Sequence, residues 1–294
     1  MKIFVPFFSF IILLYNIISS NQTIYNYYTI NSVIKYINTK GYDDEKNQCI
    51  ADNISKIFSN AYAFYDIAKK PPQPSFSKDY HQAVDLQKKF KEINTKDSNI
   101  YELYRNIVYI LSDLKDNHLR FFFKNNDIDQ FNILGPFNYR MDKDSNGKVR
   151  IYADCIDESE LDIFRDIIED ETIDIEEFCD TNKAPIKSIN NQDPFDYITN
   201  FGGNLLSTKN VHGTFSFKLG YINDVPLSEF PMSREELNNL EVVFDDEDNT
   251  VIKTKYMIKT KLDIEEDEEE NNLRVLSQTK KRVKHKANSE RNRI

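Results

Sequence analysis

The apolar residues of this chain change their period once, near residue 115, and that change restricts the fold to helices followed by sheet. From about Ser32 to Leu114 they recur at three- and four-residue steps. Ile50, Ile54, Ile57, Phe58, Ala61, Phe64 and Ala68 fall on one face, as an amphipathic helix requires. Tyr80, Val84 and Phe90 continue the pattern less regularly. Ile100, Leu103, Tyr104, Ile107, Val108, Leu111 and Leu114 form a third, strong stripe. Pro71, Pro72 and Pro74 separate the first long helix from the next. Ser98 is read as the cap of the third helix, with Tyr101 and Glu102 in its first turn.

After Asp116-Asn117 the runs are short and β-prone. Strands are expected at His118–Phe123, Ile133–Met141, Lys148–Asp154, Pro185–Ile189, Gly213–Tyr221, Leu240–Phe244 and Thr250–Ile258. Asn146-Gly147 is a tight-turn signal between two of them. One acidic helical stretch spans roughly Glu158 to Phe178. The expected class is therefore α+β. A helical N-terminal domain over 21–125 precedes a small mixed β domain over 126–261. The end is different: Asp263–Glu270 holds seven acids in eight residues, and Arg274–Arg293 holds eight Lys or Arg and one acid. Such a run cannot bury a core, so 262–294 is expected to be a disordered charged tail.

Residues 1–20 read as a secretory signal peptide. Lys2 supplies the positive start, Ile3–Ile18 the apolar core, and Ser19 and Ser20 the small residues before cleavage. A membrane anchor is the alternative, but a spanning helix needs about 20 apolar residues and this run is shorter and broken by Pro6, Ser9 and Asn16. The mature chain is expected to be secreted, without stable membrane insertion. The full sequence has 40% hydrophobic residues, 21 Phe and 17 Tyr, enough to bury a sizeable core. A net charge of −10 argues against a nucleic-acid surface.

Three cysteines in an oxidising compartment allow one disulfide and one spare thiol. Cys155 and Cys179 are the favoured pair because they are close in sequence and share one domain; three buried free thiols are the competing reading. Asn53-Ile54-Ser55 is a glycosylation sequon, and Asn53 is the candidate acceptor. Asn21-Gln22-Thr23 is a second, almost on the cleavage site. No phosphate loop, zinc motif, calcium loop or nucleophile elbow is present, so neither metal nor cofactor is expected. Of the four histidines, His285 lies in the tail and His81 in a polar helical segment. His118 stands at the helix-to-strand junction beside acids, where a general base could be held.

Leu114-Lys115-Asp116-Asn117-His118 resembles the Leu-x-Asp-x-His segment of serine peptidases of the C-terminal-processing (tail-specific) family, in the branch of the chlamydial protease-like activity factor. A second segment, Pro185–Ile198, resembles that family's strand-turn-helix Ile-x-x-Ile-Asn-Gly-x-x-Pro-x-x-Tyr, part of its PDZ-like domain. Asn191 stands where Gly is usual, and Asn tolerates positive φ better than other non-glycine residues. His212–Phe217 and Pro226-Leu227-Ser228 resemble the family's next region. The resemblance covers roughly residues 45 to 260.

It implies a PDZ-like domain over 126–261 and a general-base role for His118 in a Ser-His-Glu arrangement. The family's serine and glutamate belong to a further α/β domain that has no counterpart here, and no serine of this chain can be assigned as nucleophile. The expectation is a truncated, non-catalytic relative or pseudo-enzyme, with proteolysis as the family's activity. The alternative is a binding module for an extended peptide or for the catalytic domain of a related peptidase. The loop Leu134-Gly135-Pro136-Phe137 lies where a ligand carboxylate would sit, but Pro136 removes a donor, so carboxylate capture is not expected.

Overall fold

The computed structural model describes residues 25–41, 43–71, 82–96, 99–116, 119, 121, 127–170, 172–179, 184–205, 207–208 and 211–264. The signal-peptide segment 1–20, nearly all of the charged tail and His118 lie outside them, as do Ser98 and most of the strand expected at His118–Phe123.

The chain opens with a short strand, β1 (Asn26–Tyr28), and then runs through helices. α1 (Ile30–Asn38) starts at Thr29, whose side chain accepts the Ser32 amide. α2 (Asp44–Ala61) is capped by Asp43, with Asp44 and Glu45 complementing the positive end of the helix dipole. α3 (Tyr65–Lys69) and α4 (Leu86–Lys91) are short.

α5 (Ile100–Ser112) is the central helix. Ile100, Leu103, Tyr104, Ile107, Leu111 and, just past its end, Leu114 are buried as the sequence stripe marks; Val108 is only half-buried, and Tyr101, outside the stripe, is buried too. Its cap is Asn99, not Ser98. The Asn99 side chain accepts the Glu102 amide at 2.9 Å, the N3 donor that a cap oxygen reaches. The stripe expected along α2 also stops early. Tyr62 is extended and ends the helix, so the residues beyond it leave the helical register and Phe64 is 56% exposed; Ile57, within α2, lies off the buried face and is 59% exposed.

The second half supplies β2 (Asn132–Leu134), β3 (Phe137–Lys143), β4 (Val149–Cys155), α6 (Glu158–Arg165), β5 (Ile186–Ile189), α7 (Pro194–Asn200), α8 (Val211–Tyr221), β6 (Val225–Pro226), α9 (Arg234–Asn238), β7 (Leu240–Phe244), β8 (Val251–Thr254) and β9 (Met257–Thr260). Two 3-10 turns, Ile128–Gln130 and Ile175–Phe178, complete it. The architecture is α+β. The described strands form three antiparallel sheets: β1-β9-β2-β6, the hairpin β3-β4, and β5-β7-β8.

The hairpin turns where Asn146-Gly147 predicts it. Gly147 has φ 78°, and Asp144 collects the amides of Asn146 and Lys148 on one carboxylate oxygen. The strand expected over Gly213–Tyr221 is instead α8. Phe215, Phe217, Leu219 and Tyr221 alternate like a strand, but the residues that α8 buries are Thr214 and Lys218, four apart. Polar anchoring at the helical period overrides the apolar alternation.

One buried cluster runs through the whole described chain, from Tyr28 to Ile264. It crosses the division drawn at 125/126. The Tyr101 hydroxyl donates to the Met232 carbonyl at 2.7 Å, and β1 pairs with β9. It also passes 261: Ile264 is buried, and its amide donates to the Tyr28 hydroxyl.

Candidate functional site

The described residues on either side of His118 are held by side chains and backbone from several elements. α5 ends with Leu114 and Lys115 donating to the carbonyls of Leu111 and Ser112. Lys115 then takes φ 50°, the left-handed step that often succeeds a helix and is usually taken by glycine. Asp113 accepts Lys89 Nζ of α4 at 2.7 Å on one carboxylate oxygen and Asn204 Nδ2 at 2.8 Å on the other. Asp116 accepts the Tyr62 hydroxyl at 3.2 Å. Burial, with the Asp116 charge beside it, pushes the Tyr62 phenol up to about 12.

On the far side the Leu119 amide donates to the Asp116 carbonyl at 3.0 Å. The Tyr104 hydroxyl lies 2.9 Å from the Phe121 carbonyl oxygen and 2.7 Å from that of Ser228, two acceptors facing one proton. Burial pushes the Tyr104 phenol far above its ordinary range, so it remains a donor. Helices α2, α4 and α5 and the loops near 204 and 228 thus converge on the residues that flank His118.

The second segment, Pro185–Ile198, folds as strand, turn and helix. β5 runs to Ile189, Asn190 and Asn191 both take positive φ (47° and 60°), and Ile189 and Gln192 exchange both backbone bonds at 2.9–3.0 Å. This is the primed two-residue turn that asparagine and glycine favour. The Asn190 side chain accepts the Glu241 amide at 2.7 Å and donates to the Asn239 carbonyl at 3.1 Å, so the turn is locked to the start of β7. Asp193 caps α7 through the Phe195 amide, and Pro194 fits the first helical position. Tyr197 points into the core, its hydroxyl 3.0 Å from that of Tyr256. Asn191→Ala should cost roughly 1 kcal/mol through the left-handed backbone, while Asn191→Gly should change stability by less than about half of that; urea denaturation of both variants measures this.

The Gly135 loop offers no free donor at that residue, since its amide already donates to Asn223 Oδ1 at 2.6 Å. A Cβ there would lie 2.9 Å from the Tyr256 ring, so the chain passes close over that ring. Cys155 and Cys179 are joined in a disulfide, and Cys49 is free and exposed. Asn53 is exposed on α2, with its Nδ2 3.3 Å from Cys49 Sγ. Among the described residues there is no cluster of His, Cys, Asp or Glu able to hold a metal ion, and no helix long and apolar enough to cross a membrane.

Lys218 is a buried charged residue that sequence reading missed, the more deeply enclosed of the two, with Glu160, among the described residues. Its side chain is fully enclosed, and Nζ donates to the carbonyls of Thr199, Phe201 and Gly203 at 2.8, 2.9 and 2.6 Å. The signal that could have found it is the Thr214/Lys218 spacing behind Gly202-Gly203.

No protein-family model matches the chain, and no curated protein matches it. A solved structure, mature CPAF complexed with lactacystin, is similar at a TM-score of 0.42 and 11% sequence identity. The similarity covers 72% of this chain and 35% of that one, so the chain spans about a third of that protein's length.

Proposed function

We propose that these residues form the helical and PDZ-like portion of a secreted serine-peptidase-type protein, in which His118 stands at the general-base position. In this reading the chain does not hydrolyse peptides by itself and acts by binding, either to an extended peptide or to the catalytic domain of a related peptidase. The observation that supports it is the strand-turn-helix at 186–200. Asn190, Pro194 and the inward Tyr197 stand in the order of the family segment, and Asn191 takes the left-handed backbone that the family's Gly would take there. The Cys155–Cys179 disulfide favours an extracytoplasmic location, as disulfides persist in oxidising compartments. An exposed Asn53 suits a glycan there.

A base without a nucleophile and oxyanion hole should give no useful rate. The purified chain should therefore take up no fluorophosphonate probe; covalent labelling of any serine would sink the non-catalytic reading. Titration calorimetry with extended peptides and with a related catalytic domain tests the binding half. Heat with one of them supports it, and the absence of heat with all removes it.

A further inference from the structure

The last carbonyls of a helix need donors from outside it. At the end of α7 the Asn200 carbonyl accepts the Gly203 amide, and the Thr199 carbonyl takes its donor from a buried ammonium that also serves the turn beyond. Gly202 and Gly203, at φ 62° and 61°, curl the backbone so that the carbonyls of Thr199, Phe201 and Gly203 all face Lys218 Nζ. The same turn carries Asn204, which donates to Asp113 at the end of α5. The charged group that bears on Lys218 among the described residues is Lys115, just past α5, and it repels. From α7 and the turn, Lys218 meets backbone carbonyls rather than carboxylates.

We propose that Lys218 is the latch of a conformational device: its ammonium holds the 199–205 turn closed, and through Asn204 and Asp113 the closed turn fixes the end of α5. The reason is stoichiometric. An ammonium has three N–H groups for three carbonyls. A neutral amine has two, and its lone pair faces the third carbonyl. Loss of the proton therefore leaves one carbonyl of the turn without its donor and slackens the segment that bears Asn204. The device stands on described residues alone and does not depend on the role given to His118.

Burial, with Lys115 adding, pulls Lys218 down to about 8. As pH rises, the folded chain gives up this proton first, while an unfolded lysine keeps it to about 10.4. In that window the unfolded state binds more protons, so this group's contribution to global stability rises with pH. The slackening is therefore a loosening of the turn with Lys218 still enclosed, because the same linkage disfavours any opening that hydrates Lys218 as pH rises.

The test is NMR-detected amide exchange on the full chain, comparing wild type, Lys218→Met and Asn204→Ala at about pH 7. In Lys218→Met the amides of Gly203 and Leu205, and also those of Leu114 and Lys115, should exchange at least about tenfold faster, with the β3-β4 hairpin unchanged. Asn204→Ala should accelerate Leu114 and Lys115 but not Gly203. Unchanged exchange at Leu114 and Lys115 in Lys218→Met overturns the latch. Should that variant fail to fold, wild type is taken from about pH 7 to about pH 9.5, with exchange corrected for the intrinsic rate. Acceleration at the same four amides supports the latch, and its absence refutes it.

Discussion

Reduction of the Cys155–Cys179 disulfide is expected to lower the stability of the chain by roughly 3 kcal/mol, the loop-closure value for a separation of 24 residues. The bond joins the end of β4, where Cys155 pairs with Phe137, to the residue after the second 3-10 turn. Phe178 of that turn lies against Phe244 of β7, centroids 4.7 Å apart, and Phe137 meets the same ring edge-on at 6.0 Å. Opening the disulfide frees a loop whose ordering holds these three aromatic rings together. Denaturant midpoints with and without reductant, and for Cys155→Ser, should shift together. A midpoint unmoved by reductant would mean that the aromatic contacts alone hold the loop.

Gly202→Ala should be about as damaging, again roughly 3 kcal/mol, because two penalties coincide. The residue has φ 62°, which costs an L side chain roughly 1–2 kcal/mol. Its Cβ would also sit 2.7 and 2.8 Å from ring carbons of Phe230, a fully buried side chain with nowhere to go. Two other glycines separate the terms. Gly203, φ 61°, would meet Tyr109 at an ordinary 3.4 Å, and Gly147, φ 78°, meets nothing within 4 Å. Gly203→Ala and Gly147→Ala should each cost about 1–2 kcal/mol, the backbone term alone. Equal losses at all three positions would show that Phe230 yields, and would remove the packing half of the argument.

Much of the fold is legible where a pattern is local. The α5 stripe, the Asn146-Gly147 turn, the strands near 186–189 and 240–244, and the Asn190-Asn191 turn all arise from residues within one or two turns of each other. Local pattern fails where distant partners decide. α8 reads as a strand because its aromatics alternate, yet its place is set by a lysine reaching three carbonyls on another element. The run expected over Thr250–Ile258 divides into β8 and β9 because the fully buried Tyr256 leaves the sheet and gives its amide to the Leu237 carbonyl. β1 is three residues long and carries no signal of its own; only β9 makes it a strand.

The candidate site divides in the same way. The type and order of residues around His118 and at 186–198 are visible in sequence. The convergence of Tyr62, Lys89 and Asn204 on Asp113 and Asp116 is not, because those donors come from three separate segments.

The pairing of β1 with β9 also dictates an order of events. The first described strand is completed by the last described one, and the Tyr28 hydroxyl accepts the amide of Ile264. During synthesis the helices can gather around α5, but the four-stranded sheet must wait for almost the whole described chain. Contacts of such long sequence separation form slowly. The closing of that sheet should thus be the late step of folding, and Tyr25–Tyr28 should stay open to proteases until residue 264 has arrived.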